Sequence, residues 1–484
     1  MSLSSAMSNA LSGLTATTRA TEVVSTNIAN KSVAGYARRE LETSSRAYAS
    51  GGVKIDGVQR QLNAGLLADN RLAQAASSQS GTVATFHAAI ESAFGTADDK
   101  ASLTSMLTAF DTALTSASAR PDSDVRLNAV LDAAGALTTK IQAVAASITE
   151  ARGTADKTIA KNVGNLNDTL DQVAELNRQI TVLTARGEDA SPLIDARQAA
   201  IDEIATIVPI QEVARENGRV ALFTKGGATL LDGNVPARLG FQPANGMASD
   251  MSVGSGDLSR LSLNGKTLSD GEMSMFAGGT LAANFEIRDN LAPAYQTKID
   301  AFAREVYTRF ADPALDGTLT AGAAGLFTDA QSAFAPGNET GLANRIAVNS
   351  SVDPAQGGEL WRIRAGVNAT GPGSSGDATL IRAMGAALTD TRVPSSPATS
   401  STARSMLLFA SDLTSGASSL RIRADANALQ DQTRAQSLNT ALLAQGVDTD
   451  TEMEALLSLE KAYAANAKVF QTVNDMLDDI LRLT

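Results

Sequence analysis

The sequence predicts a mainly α protein with an inserted β part, elongated and divided into several domains. Three observations carry this. Apolar residues step by three and four along both extreme ends of the chain, a longer helical period fills the region from about 65 to 205, and after Pro209 that period gives way to short alternating runs around Gly-rich turns. The 484 residues are too many for one small core and correspond to about three domains at roughly 150 residues each. Hydrophobic residues make up 43% of the chain but aromatic ones only 4%, so the cores must be built from Ala, Leu, Val and Ile, mainly helix against helix.

In the first segment Leu3, Met7, Ala10, Leu14, Thr17, Thr21, Val24 and Ile28 form the seam of a coiled coil. The other faces hold Ser, Thr, Asn and Ala with few charges, notably Arg19 and Glu22, a composition suited to burial on several sides. At the far end Leu456, Leu459, Tyr463, Asn466, Phe470, Val473, Leu477 and Ile480 repeat the seam, with charge mostly off the stripe. Thr449 and Glu452 read as a capping box at its start, and Asp448 and Asp450 suit the positive end of the helix dipole. Each stripe alone fits the core face of an ordinary terminal helix. Isolated helices are marginal in water, so two such stripes must either pair with each other or wait for a neighbouring subunit.

In the interior, Leu103, Met106, Leu107, Phe110 and Leu114 give one helical face. Pro121, Asp122 and Asp124 then start a run from Val125 to Leu183 of about 60 residues, roughly 90 Å if continuous at 1.5 Å per residue, although Gly153 and Gly164 leave room for a break. After Pro209, Ile210–Arg215 and Val220–Phe223 flank Asn217-Gly218 as a hairpin, and Leu261–Leu268 reads as a second. Helix resumes from Thr280 to Phe310. From Pro313 to about Ala398 the signal weakens, with Trp361–Arg364 alternating like a strand and Leu380, Ile381 and Met384 marking a short helix. From Thr402 to Ala444 the pattern is helical again.

Composition narrows the chemistry. The chain has no Cys, which removes disulfides, thiolate catalysis and cysteine metal sites, and its one histidine, His87, would have to serve any triad or imidazole base alone. A net charge of −12 disfavours nucleic acid and anionic membrane partners. No apolar run is long enough to span a bilayer, and the start Met1–Met7 lacks the features of a cleaved signal, so the expectation is cytoplasmic unless export uses an uncleaved signal. Gly371-Pro372-Gly373-Ser374-Ser375-Gly376 has dinucleotide-loop spacing, but Pro372 lacks an amide and no strand with a ribose-binding acid follows, so it reads as a flexible loop. Asp448–Glu452 lacks the glycine and bidentate Glu of a calcium loop and reads as a helix cap. His87 has Glu91 as its only near co-ligand and reads as a satisfied or exposed helix histidine, and Arg38-Arg39 as an exposed charged turn. The expectation is a non-enzymatic protein without cofactor or metal.

The stretch Ser25-Thr26-Asn27-Ile28-Ala29-Asn30, then Gly35-Tyr36 and Arg38-Arg39, resembles the flagellar axial protein family, whose N-terminal helix ends in Asn-(Ile/Leu)-(Ala/Ser)-Asn before a loop and Gly-Tyr or Gly-Phe. Gly446-Val447-Asp448, Ala462-Tyr463, Ala467-Lys468-Val469-Phe470 and Thr472 are similar to the far end of that family. The block from Gly279-Thr280-Leu281 through Arg288-Asp289 to Pro293-Ala294-Tyr295 resembles its hook-associated junction members. The resemblance implies a structural subunit joining hook to filament, with residues 1–62 and 430–484 as an inner assembly domain, 63–205, 280–312 and 401–429 as a helical rod, and 206–279 with 313–400 as an outer β-rich part. It also implies an assembly interface of Leu3, Met7, Leu14, Val24, Asn27, Ile28, Asn30, Gly35, Tyr36, Leu456, Leu459, Tyr463, Phe470, Val473, Leu477 and Ile480. Its implied partners are the hook protein, the second hook–filament junction protein, further copies of the chain and a cytoplasmic export chaperone at the C-terminal helix, with export by the flagellar type III route to the cell exterior. The alternatives are another axial subunit, such as a hook, distal-rod or second junction protein, and a type III secreted coiled-coil effector.

Overall fold

Helices dominate because the apolar period runs long; a capping side chain marks where several of them start and a glycine where some of them stop. The structure, a computed structural model, describes residues 3–33, 35–46, 51–96 and 98–483; Ala34, between the Asn27–Asn30 motif and Gly35, lies outside them. Helix α1 (Leu3–Asn30) leads into an antiparallel hairpin of β1 (Arg39–Ser45) and β2 (Val53–Arg60), which the sequence reading missed. Helix α2 (Ala64–Phe94) begins where the Asn63 side chain accepts the Leu66 N–H, and α3 (Leu103–Ala119) where Ser102 accepts that of Ser105. Helix α4 (Asp124–Arg186) runs 63 residues, about 94 Å, without a break at Gly153 or Gly164, with Asp124 in its first turn, Arg186 in its last and Gly187 in the left-handed region just beyond.

After α5 (Ser191–Ile207) the chain forms a four-stranded antiparallel sheet of β3 (Ile210–Ala214), β4 (Val220–Thr224), β5 (Thr229–Asp232) and β6 (Val235–Pro236), in sequential order. A second small sheet joins β7 (Leu239–Gly240), β8 (Ser262–Leu263) and β9 (Lys266–Thr267). Both hairpins expected from the sequence are among these pairings. The short α6 (Asp270–Met273) has a capping box between Ser269 and Glu272. Helix α7 (Gly279–Glu286), a π segment (Ile287–Leu291) and α8 (Ala292–Phe310) make one rod. There follow β10 (Phe327–Asp329), α9 (Leu342–Arg345), β11 (Ile346–Val348) paired to β10, α10 (Arg362–Ala365), α11 (Thr379–Thr389), α12 (Met406–Ala444) and α13 (Thr449–Leu483).

Early and late helices pack antiparallel. Helix α2 lies along α12, with Glu91 bound to Arg421 near one end and Ser80 beside Gln430 further along. Two apolar cores sit along α4. The first joins the end of α2, all of α3, α4 from Leu127 to Ala155, α8, residues 319–388 and the first turns of α12. The second joins α4 from Ile159 to Ala174, α5, the sheet β3–β6 and α7. Segments 206–279 and 313–400, expected to share one outer β-rich part, therefore belong to different cores, and the latter holds only the β10–β11 pair.

Trp361–Arg364 is a helical turn and not a strand. The Arg364 and Ala365 N–H groups both return to the Trp361 carbonyl, at 3.0 and 2.9 Å. Ile363 and Arg364 are consecutive and both buried, which alternation forbids; the Arg364 guanidinium binds the carbonyls of Pro121, Pro372 and Ser375. The glycine-rich loop 371–376 thus turns carbonyls toward a cation, the reverse of the amides a pyrophosphate needs.

His87 is buried in the first core, with Nδ1 2.9 Å from the Tyr295 hydroxyl. Burial holds its pKa below the ordinary value, with the Lys298 charge acting in the same direction, and burial pushes that of Tyr295 up to about 12. The unfolded chain therefore takes up a proton below about pH 6.5 that the folded one resists, so stability falls as pH drops from there, by at most about 1.4 kcal/mol per unit. His87→Gln keeps an acceptor for Tyr295 and should abolish that component. Urea midpoints of both proteins at pH 7 and pH 5.5 check this, and equal shifts in the two would refute it.

Candidate assembly interface

The two ends of the chain meet as an antiparallel helix pair. Asn27, near the end of α1, bonds to Glu452 in the first turn of α13, and halfway along Gly13 faces Asn466. A Cβ on Gly13 would stand 2.8 Å from Asn466 Nδ2, so a side chain there would have to displace that amide. Small residues make up most of the buried surface of α1: Ala10, Ser12 and Ala16 are buried with Gly13, and Val23, Val24 and Asn27 follow. The β1–β2 hairpin covers another side of α1, where Ser12 Oγ accepts the Val53 N–H at 3.1 Å. Helix α1 is thus enclosed from two directions, as its nearly uncharged faces require.

Helix α13 is enclosed from one side only. Of its expected seam, Val473 is buried; Leu456, Leu459, Phe470 and Leu477 are half-buried; Tyr463 and Ile480 are each 49% exposed. Leu3, Met7, Leu14 and Ile28 on α1 are also half-buried, and Val24 is buried. Met453, Leu457, Val469, Met476 and Leu481 add exposed apolar surface along α13. Between the helices lies an open groove of about 800 Å³, walled by Thr18, Thr21, Glu22, Ser25, Thr26, Leu456, Glu460 and Tyr463. Asn30 does not reach across; its amide donates to the Thr26 carbonyl one turn back.

The polar part of the site departs furthest from the sequence reading. Thr449 and Glu452 form no capping box, since Asp448 caps α13 by accepting the Asp450 N–H at 3.0 Å. The Glu452 carboxylate, 1% exposed, instead accepts Arg38 Nε at 2.6 Å and Asn27 Nδ2 at 3.1 Å. Asn27 is fully buried and bonds on three sides: its oxygen accepts the Tyr36 hydroxyl at 2.8 Å and the Arg39 N–H at 2.9 Å, and its nitrogen also donates to the Arg39 carbonyl. Burial holds the Tyr36 hydroxyl pKa above its ordinary value, against the Arg39 guanidinium 4.9 Å from the ring centroid.

Arg38-Arg39 is accordingly not an exposed turn. Arg39 Nη2 donates to Asp195 Oδ2 on α5 at 2.6 Å, and Arg60, from the end of β2, holds the other oxygen of Asp195 together with Gln198. Gly35, at φ +77°, lets the loop rest on α5, where a Cβ would come within 3.1 Å of the Asp195 carbonyl oxygen. A continuous set of hydrogen bonds therefore runs from Glu452 on α13 through Asn27 and Arg39 to Asp195 on α5. Arg38, Arg39, Arg60, Asp195 and Glu452 were not legible as parts of one site, because charge in a sequence does not say which distant charge it meets.

The arrangement is one of packing and fixed orientation. Residues 87–327 match the family described as "Flagellar hook-associated protein FlgK helical domain". Residues 439–483 match "Flagellar basal body rod FlgEFG protein C-terminal", and 7–36 match "Flagella basal body rod protein". The flagellar hook-associated protein 1 of Salmonella typhimurium is 29% identical over 252 residues, covering 50% of this chain and 45% of its own length. That of Escherichia coli K12 is 27% identical over 262 residues, covering 52% and 47%. The chain spans about half the length of the curated relatives it matches. A solved structure, the flagellar hook junction protein FlgK from Burkholderia pseudomallei, aligns with a TM-score of 0.43 and 19% identity over 54% of this chain and 46% of that one.

Proposed function

We propose, on the premise that this chain is FlgK-like and belongs with the hook-associated flagellar proteins, that it is a structural subunit joining the flagellar hook to the filament. The observation that carries the reading is the hook-associated helical-domain match over 87–327; the matches at the two ends are to rod families and by themselves would fit any axial subunit. Residues 1–62 with 430–484 form the assembly unit; the described residues among them contribute nothing to either apolar core, and α12 runs unbroken from the first core into this unit. The half-sealed α1–α13 seam is completed by neighbours: hook subunits on one side, the second junction protein on the other, and copies of this chain around the ring. Burying Tyr463, Ile480 and the groove between the helices supplies the driving force, at about 25 cal/mol per Å² of apolar surface. Before assembly the C-terminal helix is the segment an export chaperone holds, and the subunit leaves the cell through the flagellar type III route.

The site-level test uses Leu459→Asp and Phe470→Asp in a strain lacking its own copy. Both positions are half-buried in the free chain and leave a carboxylate partly in water there, while closure of the seam on a neighbour would bury it fully, so circular dichroism of the purified chain should stay close to that of the unsubstituted protein while cells lose motility and carry hooks without filaments. Immunogold labelling of the unsubstituted chain should fall at the hook–filament boundary. Normal filaments in both variants would refute the interface, and label along the hook or rod would move the protein to another axial position.

A further inference from the structure

The two apolar cores meet at a level where the apolar stripe of α4 is interrupted by buried polar side chains and Arg288 of the facing rod stacks on the Phe241 and Phe285 rings. On α4 the first core ends at Ala155 and the second begins at Ile159; on the facing rod the second ends at Phe285 and the first begins at Ile287. Between them the buried side chains are polar. Asp156 on α4 accepts Arg288 Nη1 at 2.8 Å and, through its other oxygen, the Ala244 N–H at 2.7 Å. Arg288 also holds Asp289 and the Ser259 carbonyl.

The rod is weakened at this same level. Pro293 has no N–H to return to Asp289, and the helix widens into the π register, with the Ala292 N–H bonded to the Ile287 carbonyl. The Arg288 carbonyl, whose partner in that register would be Pro293, instead accepts Arg152 Nε from α4 at 2.8 Å. Beside Arg152 stands Gly153, and a Cβ built there would lie 3.5 Å from the Met247 Cβ on a strap, residues 244–251, lying against α4. Arg152 also faces the carbonyls of Ala248, Ser249 and Met251 in that strap. Open grooves of about 1430 and 910 Å³ flank it.

We propose that this level is a bending joint, with α4 flexing at Gly153 and the opposite rod at its π segment. Close-packed apolar cores resist shear, a glycine weakens a helix interior, and helix bends concentrate at prolines and π-bulges, so bending gathers at this level. A guanidinium facing a row of carbonyls changes partners without losing hydrogen bonds, and the grooves leave the strap room to follow.

Because the chain has no Cys, Gly153→Cys with Met247→Cys creates a single pair, and a 3.5 Å Cβ separation falls within disulfide geometry. Hydrogen–deuterium exchange is read on the full chain, oxidised and reduced. Oxidation should slow exchange of amides 287–292, on the rod the cross-link does not touch, by roughly tenfold, with α3 unchanged. Amides 287–292 that are as protected as α3 in the reduced protein, or unaffected by oxidation, would overturn the joint. Pro293→Ala, which restores the missing N–H, is the second arm: slower exchange at 287–292 supports the proposal, and unchanged exchange overturns it even where the cysteine pair does not close.

Discussion

Replacing Glu452 with lysine should release the C-terminal helix while leaving both apolar cores folded. The carboxylate is 1% exposed and is held by Arg38 and Asn27, so the substitution places a cation against a cation and an amide donor. Removing one partner of a buried pair costs about 3–5 kcal/mol, and because Arg38 keeps 28% of its side chain in solvent the lower figure, about 3 kcal/mol, applies. That loss raises the undocked population by roughly a hundredfold, and cleavage of a transiently open segment follows that population. Trypsin should therefore cut at Lys461 and Lys468, both exposed on α13, about a hundred times faster than in the unsubstituted chain. Glu452→Gln keeps an oxygen for Asn27 and should fall between. If the thermal transition of the whole molecule dropped in step with the cleavage rate, the ends and the cores would be one cooperative unit and the present division would fail.

The parts of the fold legible in the sequence are those written in local patterns. Heptad spacing located α1 and α13, the Pro121–Asp124 start located α4, and Asn217-Gly218 located the β3–β4 turn. The β1–β2 hairpin was missed although Val53-Lys54-Ile55-Asp56 alternates, because its partner Arg39–Ser45 is mostly polar and lies with little burial on α1. Trp361–Arg364 misled because four residues of alternation cannot separate a strand from one helical turn. The candidate interface was half legible: the apolar seam follows from spacing, whereas the Arg38–Glu452 bond joins residues 414 positions apart, and nothing local distinguishes Glu452 from the cap residue it was expected to be. The single proline in Pro293-Ala294-Tyr295 was a visible sign of the π segment, since a proline inside a helical pattern must disturb the register one turn before it.

Deletion of residues 450–484 should leave a folded, soluble chain that no longer assembles. Among the described residues, neither apolar core contains one from this segment or one before Phe86. The hairpin also keeps its anchor, since Arg39 and Arg60 reach Asp195 on α5 without help from α13. What is lost is the partner of α1, a helix of 28 residues too weakly held by the hairpin alone to stay ordered. The far-UV helical signal should therefore fall by no more than α13 and α1 together supply, while the main thermal transition stays within a few degrees. Deleting residues 1–30 should mirror this result, freeing α13 in turn. Neither truncated chain should restore filaments to a strain lacking its own copy, because each keeps only half of the seam. Calorimetry and complementation separate the two possibilities: loss of the main transition in either truncation would show that the terminal pair is a scaffold for the cores, whereas a retained transition with no filaments assigns the pair to assembly. The asymmetry in the structure favours the second outcome, since the α1–α13 pair is tied to α5 through the Gly35 loop and a small set of hydrogen-bonded charges, whereas the contacts within the middle are two continuous apolar cores.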